Sequence, residues 1–198
     1  MTVPPPKRGS NLWIFLLLPA LGIVAAVVLL SNATNSASDI PPAIETTPIA
    51  RATLPQVIDA PVIDFSLPTL TGDGTLSLTS LEGRIVFLNF WATWCAPCER
   101  ELPTFQQYTR EHTAPDDPII VTINYGQDAE TIRPYLEGLG ITDLNVLLDT
   151  AQEVSDSYGV FNLPTTFVID ERGIVRSPVY GEMTREMIDS YIAELEQS

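Results

Sequence analysis

The chain holds two cysteines, Cys95 and Cys98, with two residues between them in Trp94-Cys95-Ala96-Pro97-Cys98. An apolar run, Ile85 to Trp91, precedes them and reads as a buried strand. Leu102, Phe105 and Tyr108 follow at helical spacing. A Cys-x-x-Cys pair at a strand-to-helix junction meets a helix N-terminus. Its partial positive charge and free N–H groups favour a thiolate over a thiol. The second sulfur lies one helical turn on, close enough to close a disulfide or to attack a mixed one. Two plainer readings stay open. The pair could be half of a zinc site, with His112 and carboxylates completing four ligands. It could also be a structural disulfide, although so small a ring constrains little unfolded-chain entropy.

The flanking pattern supplies the elements that would position this pair. Ile63 to Leu67 alternates, Thr71-Gly72-Asp73-Gly74 is turn chemistry, and Thr75 to Leu78 reads as the return strand of a hairpin. A helix is expected from about Cys95 to His112, bent at Pro103. Pro118 to Asn124 is a second buried strand, Asp128 to Leu139 a helix, Val146 to Leu148 a short strand and Ala151 to Tyr158 a short helix. Thr165 to Asp170 and Ile174 to Tyr180 pair around Asp170-Glu171-Arg172-Gly173. Thr184 to Glu196 closes the chain as an amphipathic helix. This alternation argues for an α/β domain with a central mixed sheet covered on both faces.

Charge and hydropathy divide the rest. Lys7 and Arg8 precede Leu12 to Leu30, a run of 19 residues without a charge, long enough to span a bilayer as a helix. The positive-inside bias places residues 1–11 in the cytoplasm and the remainder outside, on a cytoplasmic membrane. The length favours an uncleaved anchor over a signal peptide, although Ser31-Asn32-Ala33 would suit a cleavage site. Residues 31–59 are rich in Pro, Ser and Thr and read as a flexible linker with a reach of roughly 30 Å. The domain is expected at 60–198. All 25 acidic residues lie from Asp39 onward, against eight arginines and no lysine beyond residue 30, a balance of −17. Such a surface excludes nucleic acid as a partner, which needs clustered Lys and Arg. Its plainest meaning is solubility and repulsion of anions.

The stretch Phe87 to Pro103 resembles the thioredoxin-like proteins and, within them, the membrane-tethered ResA/TlpA group. Trp91 and Trp94 match, Pro103 falls where that family bends its active-site helix, and Leu163-Pro164-Thr165-Thr166 resembles the loop whose proline is cis and faces the cysteines. The resemblance covers about Ala60 to Glu196 and implies a thioredoxin-like fold with an N-terminal β-hairpin extension. It implies a redox-active disulfide with Cys95 as nucleophile and Cys98 as resolving thiol, and no metal or other cofactor. It also implies substrate contact at Trp94, Leu163 and Pro164. A cis bond would set the backbone of Leu163 beside the sulfurs, where a substrate peptide could pair with it. Asn89 departs from ordinary thioredoxins, which carry a buried, proton-relaying aspartate there. Glu101, three residues after Cys98, is the expected replacement, by analogy with a glutamate of the ResA-like proteins. Glu99 reads as surface, and His112, roughly 25 Å along the helix from Cys95, as non-catalytic.

The implied function is an extracytoplasmic thiol–disulfide oxidoreductase that reduces specific proteins, for example apocytochrome c before haem attachment. The implied partners are those disulfide-bearing substrates and a membrane thiol electron donor of the CcdA/DsbD type. The same residues could run in reverse as a disulfide donor. A peroxiredoxin-like peroxidase is a further alternative, but Thr93 lies only two residues before Cys95 and no proline precedes it in the strand.

Overall fold

The computed structural model describes residues 58–197. The membrane-spanning helix expected at 12–30 and the linker at 31–59, its last two residues apart, lie outside the described residues. No helix among the described residues is long and apolar enough to cross a membrane.

Eight strands and four α-helices follow one another. They are β1 (Ala60–Pro61), β2 (Ser66–Pro68), β3 (Thr75–Ser77), β4 (Val86–Trp91), α1 (Ala96–Glu111), β5 (Ile119–Tyr125), α2 (Ala129–Gly138), β6 (Asn145–Asp149), α3 (Glu153–Ser157), β7 (Thr165–Ile169), β8 (Ile174–Tyr180) and α4 (Arg185–Leu195). Six strands form one mixed sheet in the order β1-β8-β7-β4-β5-β6. β4 runs parallel to β5 and antiparallel to β7.

Position in the sheet explains the sequence of β4. All six of its residues are buried, as expected for a central strand covered on both faces. Phe87 and Trp91 face a core shared with Leu102 and Phe105 of α1, Ile132 of α2 and Ile188 of α4. Val86, Leu88 and Phe90 face a second core with Phe65, Leu78, Val154 and Tyr158. Asn89 is the one polar residue of the strand. It pairs in register with Thr122 on β5 and Thr166 on β7, so a polar stripe crosses three central strands.

The expected hairpin exists as β2 and β3, paired antiparallel, but its first strand starts at Ser66 rather than Ile63. Asp64 explains the difference. Its carboxylate accepts from Thr79 N at 3.1 Å and Ser77 Oγ at 3.2 Å, which folds residues 63–65 around a 3₁₀ turn at Leu78–Leu81. The expected helix at Ala151 to Tyr158 shrinks to α3, because Gln152 takes a left-handed φ of 62° ahead of it. Pro103 lies inside α1, and so does Pro134 inside α2.

Candidate functional site

Cys95 caps α1, and its Sγ accepts from Cys98 N at 3.3 Å. Pro97 occupies the first turn, where a missing N–H costs nothing. The loop between β4 and α1 is tied down by Gln127. Thr93 N donates to Gln127 Oε1 at 2.8 Å, and Gln127 Nε2 donates to Thr93 Oγ1 at 2.7 Å. Cys95 and Cys98 are joined as a disulfide, with Cα atoms 5.3 Å apart. The two sulfur-bearing residues differ in access: Cys95 is 5% exposed and Cys98 is fully buried.

Cys95 opens into a cleft of about 370 Å³ lined by Trp94, Pro97, Tyr125, Val160, Phe161 and Leu163. The Leu163–Pro164 bond is cis, as the resemblance implies. Pro164 O accepts from Gly181 N at 2.9 Å, which anchors the loop to the end of β8. Trp94 is 67% exposed and Phe161 71% exposed, apolar surface that the fold leaves uncovered beside the disulfide. Tyr125, Val160 and Phe161 escaped the sequence reading. Tyr125 closes β5, while Val160 and Phe161 lie in the turn-rich segment ahead of Pro164, and no motif marks any of the three.

Glu101 is buried on the same helix as the cysteines. Its Oε1 accepts from Asn89 Nδ2 at 2.8 Å, and its Oε2 accepts from Met183 N at 2.9 Å. Burial pushes its pKa from an ordinary 4.5 up to about 8. The hydrogen bonds from Met183 and Asn89 oppose that shift, and the nearby charge of Glu182 adds to it. Asn89 Nδ2 also donates to Thr166 Oγ1 at 3.0 Å, while Asn89 Oδ1 is buried without a hydrogen-bond partner among the described residues. Glu99 is exposed and accepts from Tyr135 Oη at 3.2 Å. Arg100 pairs with Glu182 at 2.8 Å. His112 caps the far end of α1 and stacks on Tyr108, with ring centres 3.9 Å apart. The structure thus brings Trp94, Leu163 and Cys95 to one cleft, fixes Pro164 beside Leu163, and buries Glu101 on the helix that carries both cysteines.

Comparison with known proteins agrees with this geometry. The AhpC/TSA family model matches residues 58–177. The thiol–disulfide oxidoreductase ResA of Bacillus subtilis is 39% identical over 135 residues, 68% of this chain and 72% of that protein. The exposed lipoprotein thioredoxin of Streptococcus pneumoniae superposes with a TM-score of 0.60 at 30% identity, covering 67% of this chain and 100% of that one. StoA of Bacillus subtilis superposes with a TM-score of 0.57 at 27% identity, covering 68% and 98%. An oxidoreductase of this kind acts on proteins that carry disulfides. The chain belongs to the AhpC/TSA family, as a thioredoxin-like thiol–disulfide oxidoreductase of the ResA type.

Proposed function

We propose that this protein is a membrane-anchored reductant of specific protein disulfides on the extracytoplasmic side of the cytoplasmic membrane. Its substrate on this reading is a protein such as apocytochrome c, whose cysteine pair must be reduced before haem is attached. The observation that carries the reading is the asymmetry of the two cysteines, one at the lip of an apolar cleft and one buried beneath it.

In the reduced enzyme the Cys95 thiolate attacks a substrate disulfide, and one substrate thiolate leaves. Cys95 is then joined to the substrate by a mixed disulfide. Cys98 gives its proton to Glu101 and attacks Cys95 Sγ. The second substrate thiolate leaves, so two electrons have passed to the substrate and Cys95–Cys98 is oxidised. Glu101 suits this proton: burial raises its pKa to about 8, so it holds a proton far more readily than an ordinary carboxylate. The cleft holds the substrate chain, with Trp94 and Phe161 supplying apolar contact. Neither the N–H nor the C=O of Leu163 has a hydrogen-bond partner among the described residues, so both are free to pair with an extended peptide.

The surroundings favour reduction over disulfide donation. A strong oxidant is one whose reduced form is stabilised. Among the described residues no unpaired cation lies along the N-terminal half of α1: Arg100 is engaged by Glu182, and Glu99 is exposed. With no unpaired cation to stabilise the Cys95 thiolate, the dithiol is the better electron donor. The dithiol would be regenerated by a membrane donor of the CcdA/DsbD type, because the compartment itself is oxidising. The full-length Cys98→Ser variant tests the reading. It should accumulate mixed disulfides through Cys95 with a small set of proteins, and Cys95→Ser should give none. If Cys98→Ser captures no protein at all, the reading fails.

A further inference from the structure

Asn89 is the polar exception of a wholly buried strand, and its side chain is used lopsidedly. Nδ2 has two hydrogens, and both are committed: one to Glu101 Oε1 at 2.8 Å, the other to Thr166 Oγ1 at 3.0 Å. Oδ1 has no partner. A buried acceptor left unpaired is costly. The orientation of this amide is therefore held by what its N–H groups do. Turned over, it would aim a carbonyl oxygen at a carboxylate. Thr166 accepts the second hydrogen in the present orientation, and it is placed to do so because β4 and β7 pair Asn89 with Thr166 in register.

We propose that Asn89 and Thr166 are positioning residues for the Glu101 proton: Thr166 fixes the Asn89 amide with its N–H toward Glu101, and that donor favours the ionised carboxylate that receives the Cys98 proton. The inference rests on the proposed role of Glu101 as acceptor of the Cys98 proton. A carboxylate accepts only, so a donor at Oε1 favours its charged form. The backbone N–H of Met183 serves Oε2 in the same way, but no side-chain change can remove it. The other charged group that acts on Glu101 is Glu182 in the segment after β8, and it is paired with Arg100. An aspartate at 89 would be a second acceptor and a second negative charge. Leucine would offer nothing.

The test is a carbon-13 NMR titration of the Glu101 side-chain carboxyl in the oxidised full-length protein, assigned by its loss in Glu101→Gln. Thr166→Val keeps the shape and removes the acceptor. Its Glu101 midpoint should rise by about one pH unit, and resolution of a preformed mixed disulfide at pH 7 should slow about tenfold. Thr166→Ser retains the hydroxyl and should restore both values. Thr166→Ala, which opens space instead of filling it, should shift the midpoint as Val does and guards against a packing effect of the valine. An unmoved Glu101 midpoint in both Thr166→Val and Thr166→Ala overturns the inference while leaving the role of Glu101 intact. A midpoint that moves with no change in resolution rate supports the positioning by Asn89 and Thr166 and removes Glu101 as the proton acceptor.

Discussion

Replacing Glu101 by glutamine should raise the stability of the oxidised protein relative to the parent progressively as pH rises. Glu101 is buried, and its folded pKa of about 8 exceeds its ordinary 4.5. Between those values the folded state keeps a proton that the unfolded chain releases. Stability therefore falls as pH rises from about 4.5, by up to roughly 1.4 kcal/mol per pH unit, and levels off above about 8. The loss reaches about 3 kcal/mol at pH 7 and roughly 4–5 kcal/mol at pH 9. Glutamine has nearly the same shape and stays neutral, so it escapes this pH-dependent cost; its single oxygen serves only one of the two donors Asn89 Nδ2 and Met183 N, which adds a pH-independent offset. Other groups titrate alike in both proteins and cancel in the difference. In the oxidised protein the cysteines do not titrate at all. Urea unfolding of both proteins from pH 5 to 9 reads the effect directly. The difference in unfolding free energy should widen with pH and then flatten. A difference that stays constant within about 0.5 kcal/mol across that range would show that Glu101 does not carry a raised pKa in the folded protein.

Trp94→Ser and Phe161→Ser should each lower kcat/KM for a protein disulfide about 5- to 30-fold, the range of an interface anchor, with unfolding free energy unchanged within about 0.5 kcal/mol. Equal loss on a small dithiol-exchange substrate would contradict a docking role. Asp170→Ala should cost about 2–3 kcal/mol in urea unfolding, because this buried carboxylate accepts from Arg172 N and Ile174 N, both at 2.9 Å, and pairs with Arg176 at 2.8 Å. Its reduction potential should not move. Peroxide should oxidise the dithiol no faster than a free cysteine, measured by stopped-flow tryptophan fluorescence. Thr93, the residue that would serve a peroxidatic site, is bound by Gln127 through both N and Oγ1.

Much of this fold was legible because its elements carry strong local signals. The β4 run, the α1 periodicity and the Asp170–Gly173 turn announce themselves within a few residues. The hairpin's first strand was misplaced because Asp64 organises residues 13 and 15 positions away, which no local pattern records. β1 has two residues and exists only because β8 is there to pair with it. At the site, Cys95, Cys98 and Pro164 were visible as a motif. Glu101 was visible as a spacing, but the donors that hold its oxygens were not: Met183 N arrives from 82 residues away. Thr166 likewise becomes Asn89's partner only through the pairing of β4 with β7. Phe161 was overlooked because an exposed aromatic residue in a loop has no periodicity to mark it.

The reduction potential of the Cys95–Cys98 couple in the full-length protein tests the central claim most directly. Equilibration in graded thiol buffers, read by alkylation of free thiols, gives it without a physiological substrate. A dedicated reductant should give a value near or below about −270 mV, the range of thioredoxin. A value near −120 mV, that of a strong disulfide donor, would contradict it and assign the same two sulfurs the opposite task.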